Sequence, residues 1–159
     1  MKIIDYEQKY KYEIMKLQAN QWGDGSDSDD IFNNINDYSI KLAVEENKVI
    51  GTLIFHEKNK YTLYLDMIVI SPNFQKLGIG TLFMQYAIDY AKSHNFKQIE
   101  SEAIEANGHI NSKKLLDKFG FVETRSIKNY WGILTPNFNC KECGHMPCTC
   151  TMHEYYKYL

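Results

Sequence analysis

Two hydrophobic periodicities run through the chain, and the changes between them mark out its elements. Lys2–Tyr6 reads as a short strand, and Glu7–Asn20 follows with Tyr10, Ile14 and Leu17 at helical spacing. The stretch Trp22-Gly23-Asp24-Gly25-Ser26-Asp27-Ser28-Asp29-Asp30 is rich in turn formers and acids and reads as a loop. Ile31–Tyr38 reads as a second short helix, with Asp27 to Asp30 supplying its N-cap. Ser39–Glu45, Val49–His56 and Tyr61–Ile70 are β-rich runs parted by turns at Glu46-Asn47-Lys48 and Asn59-Lys60, which predicts an antiparallel meander. Residues 79–93 place Leu82, Phe83, Tyr86, Ala87 and Tyr90 on one helical face, read as a core stripe. Gln98–Ile104 is the next strand, and a helix over 110–119 ends at Gly120, a natural C′ residue. Phe121–Ile127 and Met152–Leu159 close the set. With a helix between them, the strands ending at Ile70 and starting at Gln98 run parallel, so the sheet is mixed.

The densest signal lies at residues 70–80, Ile-Ser-Pro-Asn-Phe-Gln-Lys-Leu-Gly-Ile-Gly. An apolar strand breaks at Ser71-Pro72, a short loop carries Gly78 and Gly80, and an amphipathic helix begins. Such a loop gathers unpaired backbone N–H groups at the positive end of a helix, which suits a phosphate or pyrophosphate. It lacks the Gly-Lys-Ser/Thr ending of a Walker A loop. It is not the Gly-x-Gly-x-x-Gly dinucleotide turn, because position 83 is Phe.

Gln75-x-x-Gly78-x-Gly80 instead resembles the Arg/Gln-x-x-Gly-x-Gly/Ala signature of the GNAT superfamily of acyl-CoA N-acyltransferases. Ile68-x-Ile70-x-Pro72 is similar to the end of that family's preceding strand. Asn111–Phe121 is similar to its second helix and Gly-Phe ending, and the resemblance covers residues 40–127 best. It implies an α+β fold: a mixed, mostly antiparallel sheet of six to seven strands flanked by about four helices, in one domain over residues 1–159. It also implies acetyl transfer from acetyl-CoA to a primary amine by direct attack on the thioester. The strand at Ile68, Val69 and Ile70 would orient the pantetheine arm and acetyl carbonyl. The loop of Gln75, Lys76, Leu77, Gly78, Ile79, Gly80 and Thr81 would hold the pyrophosphate. Asn111 is carried over as a further cofactor-binding position, and a gap between the two parallel strands would admit the pantetheine.

The resemblance fails at one catalytic position. The tyrosine that usually protonates the thiolate, four residues before the Gly-Phe, is Leu116 here. Tyr130, His109 and Tyr155 are the alternatives, and Tyr130 is carried forward as the candidate. This departure keeps open a second reading, a weak or inactive acetyl-CoA-binding sensor. Asp66 is the candidate base, with Glu102 and Glu105 at the end of the next strand. Simple alternation makes Asp66 face the same way as Tyr64 and Ile68. His56 and His94 read as ordinary strand-end or surface residues.

Two local features remain. Asp24, Asp27, Asp29 and Asp30 would either attract a cationic amine or form a solvated, helix-capping loop; a calcium loop would need a central Gly and a distal Glu. All four cysteines fall within eleven residues, as Cys140-x-x-Cys143-x4-Cys148-x-Cys150, in an insertion at 137–151 before the last strand. Outside an oxidising compartment such clustering favours metal over disulfides, and four thiolates on a short loop suit structural Zn²⁺. His145 or His153 could replace one of them. A zinc-knuckle interaction module is the third reading. Tyr130-Trp131 reads either as core or as packing under this loop.

The 159 residues carry a formal net charge of −2, which argues against nucleic-acid and anionic-membrane partners. The N-terminus is charged too early for a signal peptide's apolar core, and no run is long enough to cross a membrane, so a cytoplasmic protein is expected. The expected partner is a small-molecule or peptide amine, and the resemblance leaves a homodimer open.

Overall fold

The computed structural model describes residues 1–25 and 28–159, with the backbone alone at 28 and 29. The proposed Asp27 cap and the side chains of Asp27 and Asp29 lie outside the described residues. The elements in chain order are β1 (Lys2–Asp5), α1 (Lys11–Trp22), α2 (Ser28–Asn33), β2 (Tyr38–Glu45), β3 (Lys48–Asn59), β4 (Thr62–Ile70), α3 (Ile79–Ser93), β5 (Gln98–Ala106), β6 (His109–Ile110), α4 (Lys113–Lys118), β7 (Val122–Ile127), α5 (Tyr130–Leu134) and β8 (Thr151–Tyr158). The strands form one sheet in the order β1-β2-β3-β4-β5-β8-β7, with β6 paired to β5. Among the described residues only β4 and β5 pair in parallel, so the sheet is mixed and mostly antiparallel, as expected.

Each face of the sheet carries its own core. On one face α3 and α4 cover Leu53, Phe55, Leu63, Leu65, Ile99, Ala103 and Tyr155. On the other, α1 and α2 cover Leu42, Val44 and Ile54. The stripe of α3 is rotated from the expected one. Ile79, Phe83, Met84, Ala87, Ile88 and Ala91 are buried, while Leu82 is 50% exposed. The i, i+4 set starting at Ile79 wins because Ile79, Phe83 and Ala87 lie in line over the sheet.

Two helix boundaries and one strand register also differ. The second helix of the reading ends at Asn33, and a 3-10 turn over Ile35–Asp37 leads into β2, where Tyr38 already pairs with His56. The helix expected over 110–119 shrinks to Lys113–Lys118. Asn107 and Gly108, both at positive φ (51° and 77°), turn the chain so that His109 and Ile110 fold back on Ala106 and Glu105. Asp66 is an extra residue in β4: Ile54 pairs with Met67 and Phe55 with Leu65, leaving a bulge between.

The rotated α3 stripe gives a direct check. Phe83→Ala is expected to lower the unfolding free energy by about 3–5 kcal/mol, and Leu82→Ala to change it by about 0.5 kcal/mol or less. Urea titrations of the two variants measure both.

Candidate active site and cysteine cluster

The site begins where two strands part. β4 and β5 are paired only from Thr62–Gln98 to Leu65–Ser101. Both strands continue, to Ile70 and Ala106, held on their outer sides by β3 and β8. The gap opens at the Asp66 bulge, where the extra residue adds twist and ends the parallel ladder. Ser101 Oγ donates to the Leu65 carbonyl at 3.2 Å, at the last paired step.

At the far end of β4 the glycine loop takes the expected form. Gln75 Nε2 donates to the Ile70 carbonyl at 3.1 Å and ties the loop to the strand end. Lys76 (φ 63°) and Gly78 (φ 87°) adopt left-handed backbone, and Gly78 is the N-cap of α3. The Gly78 carbonyl accepts the first helical bond, from Leu82. Among the described residues no backbone acceptor takes the N–H groups of residues 76–81. These donors and the helix dipole form an anion cradle. No protein atom lies within 4 Å of where a Cβ on Gly78 would stand, so what this glycine leaves free is open space beside the loop.

The bulge also decides which way Asp66 faces. It points, with Tyr64, to the α1 side, but Ile68 packs on the α3 core, so the expected alignment of Asp66 with Ile68 does not hold. One inserted residue reverses the alternation after it. Asp66 Oδ2 lies 2.8 Å from His56 Nδ1. Burial pushes the Asp66 carboxyl up to about 6, even though the His56 contact pulls the other way, and Glu102 adds to the rise. Burial and the facing Glu102 carboxylate also hold the Tyr64 phenol above its ordinary value, with Asp66 and Tyr130 contributing. His56, Tyr64, Asp66 and Glu102 therefore form one polar row on the α1 face, with Tyr130 beside it. His56 was missed in the sequence because its partner is reached only across the β3–β4 ladder. An open hollow of about 630 Å³, lined by Asn36, Asp37, Tyr38, Ser39 and Glu57 among others, also borders His56; no residue of the glycine loop lines it.

The remaining candidates separate. Leu116 is 3% exposed and lies in the α3-side core. Tyr155 is buried in the same core, and its hydroxyl has no partner among the described residues. His109 is exposed in β6. Asn111 Nδ2 donates to Glu142 at 3.4 Å, toward the cysteine loop. His153 is held by Glu105 through Nε2 (2.6 Å) and by Glu123 through Nδ1 (2.8 Å). Burial disfavours its charged form, but the two carboxylates outweigh that and keep the imidazole above its ordinary pKa. Both of its ring nitrogens are engaged by carboxylates, and among the described residues the close group of metal-type donors comprises the four cysteines alone.

The four cysteine sulfurs lie within 4.8 Å of one another. Cys140 and Cys150 Sγ are 3.8 Å apart, and Cys143 and Cys148 Sγ 3.9 Å. These are not disulfide distances, which are about 2.05 Å. A tetrahedral Zn–S bond of about 2.3 Å sets sulfurs about 3.8 Å apart, so the donor set fits that ion. Burial raises the Cys143 thiol, but N–H donors at Thr149 and His145 outweigh it and bring it down to about 6. Burial raises Cys148 to about 11 and pushes Cys150 higher still, beside the other sulfurs. Trp131 packs against the cluster, which decides between the two readings of Tyr130-Trp131 in favour of the loop.

This combination of splayed strands, bulge and anion cradle marks an acetyltransferase scaffold. The chain belongs to the acetyltransferase (GNAT) family, whose model matches residues 6–121. A GNAT family acetyltransferase from Elizabethkingia anophelis, solved with acetyl-CoA bound, is similar with a TM-score of 0.75 and 20% identity, over 99% of this chain and 97% of that one. An aminoglycoside 6'-N-acetyltransferase complexed with coenzyme A is similar with a TM-score of 0.74 and 13% identity, over 99% and 97%. At those identities the likeness is one of fold. In sequence the chain is 28% identical over 95 residues to UPF0157 protein YqkA of Bacillus subtilis (strain 168). That match covers 60% of this chain and spans only 26% of the relative's length. No helix among the described residues is long and apolar enough to cross a membrane.

The raised Asp66 pKa has a consequence for stability. Its folded value, about 6, lies above the ordinary 3.8, so the native state binds the proton more tightly. Stability falls as pH rises through that window. Asp66→Asn is therefore expected to leave the melting midpoint at pH 7 unchanged or higher, with no such gain at pH 4. Melting curves at the two pH values test this.

Proposed function

We propose that this protein transfers the acetyl group of acetyl-CoA to a primary amine. The reading rests above all on the parted strands β4 and β5 ending beside the unpaired amides of residues 76–81. The loop holds the pyrophosphate, and the unpaired inner edge of β4 at Ile68–Ile70 orients the pantetheine and the acetyl carbonyl. The amine approaches from the α1 face, where Asp66, steadied by His56, takes its proton. The neutral nitrogen attacks the thioester carbon, a C–N bond forms, and the oxyanion is met by backbone donors in the gap. The C–S bond then breaks, the thiolate takes a proton from Tyr130, and the remaining extra proton on the acylated nitrogen returns through water to the Tyr130 phenolate. Asp66, with its pKa near 6, is ionised at neutral pH and basic enough for this role. The carboxylates of this face suit a cationic amine, whether small molecule or peptide.

The cysteine cluster, in this reading, holds one structural Zn²⁺. Four protein sulfurs leave no open position for catalysis. Elemental analysis of protein purified under reducing conditions is expected to find about one zinc per chain.

The buried Leu116 favours one second reading, an acetyl-CoA-binding protein without turnover. Mass spectrometry of products after incubation with acetyl-CoA and pooled amines decides between them. An acetylated amine, lost in Asp66→Asn, supports transfer; binding without any product favours the sensor. Gly78→Leu is expected to weaken acetyl-CoA binding by tenfold or more while costing only about 1–2 kcal/mol of stability, the strain of a side chain at positive φ. Calorimetric titration with acetyl-CoA measures the first, and urea unfolding the second.

A further inference from the structure

The cysteine loop touches both banks of the open gap. On the β5 side, the four sulfurs pack with Ala106, and Ile104, Trp131 and Phe138 close around them. Gly132 of α5 lies so near that a Cβ would stand 2.2 Å from the Cys148 carbonyl oxygen. On the β4 side the loop is bound to the end of α1. The Lys141 N–H donates to the Trp22 carbonyl at 3.0 Å, and Gln21 Nε2 donates to the Glu142 carboxylate. A Cβ on Gly23 would stand 2.4 Å from the Asn139 carbonyl oxygen. The other Glu142 oxygen accepts from Asn111 at 3.4 Å. α1 is in turn fixed to β4, where Gln18 Nε2 meets Met67 Sδ at 2.8 Å, one residue past the bulge. Two glycines with no room for a side chain and one carboxylate with two partners make this a fitted joint.

We propose that the loop is a strut joining α1 to β5 and α5 across the parted strands, so that it fixes the width of the amine entrance. Gln21, Gly23, Gly132 and Glu142 are its positioning residues. The inference rests on the metal reading and on acetyl transfer. Residues 135–150 contain no helix or strand, and four small sulfurs are a meagre core, so a metal supplies the rigidity that the strut needs. With the joint broken, the end of α1 loosens and the amine is held less well. The acetyl-CoA cradle, which belongs to β4 and α3, stays in place.

The test uses the double variant Gln21→Ala/Glu142→Ala, which keeps all four cysteines. Hydrogen exchange of the amides in the last turn of α1 is expected to quicken by about tenfold, the effect of one or two lost hydrogen bonds. Zinc content and acetyl-CoA affinity are expected to stay at wild-type values. With the amine acetylated in the pooled screen, KM is expected to rise about fivefold or more with kcat changed less than about twofold. Stripping zinc from the wild-type chain under reducing conditions should reproduce the faster exchange, and zinc should reverse it. Both of the chain's tryptophans sit at the joint, Trp22 at one end and Trp131 at the other, so their emission follows the same change. Unchanged exchange at α1 in both the double variant and the stripped chain overturns the strut. A wild-type chain free of zinc overturns the metal reading, and a chain that acetylates no amine overturns the transfer reading. The exchange of the double variant separates those failures from that of the strut.

Discussion

The hydrogen bonds that β4 and β5 do not make govern the rest of this structure. Four residue pairs tie the strands together, and beyond Leu65–Ser101 their facing edges carry backbone donors and acceptors with no strand between them. A buried backbone group left unpaired costs about 1–3 kcal/mol. Such a gap persists only if each strand is held from outside and the gap can be filled by something with amides of its own. β3 and β8 supply the first condition, pairing with β4 and β5 along the parted stretch. The pantetheine arm of acetyl-CoA, with two amides in an extended chain, would meet the second in the proposed reaction.

The Asp66 bulge links this opening to the chemistry. It ends the parallel ladder and also turns a carboxylate onto the α1 face, within 2.8 Å of His56. The anion cradle lies at the other end of β4, past Ile70. In the proposed transfer, one strand would present a proton acceptor where the gap opens and a phosphate site where it ends, with the thioester between them. The two faces divide the work. The α3 face is packed with apolar side chains and anchors the cradle. The α1 face carries the titratable row, and in the proposed reaction it is the face the amine would approach.

The sequence made the cradle legible because glycines, a proline and a strand-to-helix change leave local marks, and the cysteine cluster because sulfur ligands crowd into few residues. What it concealed depends on pairing. A bulge is one residue in a register and has no local signature, so alternation alone misassigned Ile68 relative to Asp66. His56 looked ordinary because its partner lies ten residues away across a hairpin. Apolar character marks a stripe without marking its centre, so it points to Leu82, which the structure leaves half exposed. The helix at 110–119 was too long because the Asn107-Gly108 turn, with both residues at positive φ, spends His109 and Ile110 on a strand. Gly23 and Gly132 looked like a loop glycine and a helix glycine. Only the docked cysteine loop shows why neither position has room for a side chain.

That docking bears on the position where the family resemblance fails. With Leu116 in the core, the proposed transfer would have to draw the thiolate's proton from elsewhere, and a donor on a five-residue helix is useful only if the helix is held still. Tyr130 begins α5, and two residues later Gly132 meets the Cys148 carbonyl with no space to spare. Trp131, between them, packs on the cysteines and lies edge-on to Tyr130, with ring centroids 5.3 Å apart. The loop proposed to brace the amine entrance would therefore also set the place of the tyrosine. In this view the cysteine cluster and Leu116 are parts of one arrangement, in which a metal-ordered loop replaces helix packing as the means of placing the proton donor.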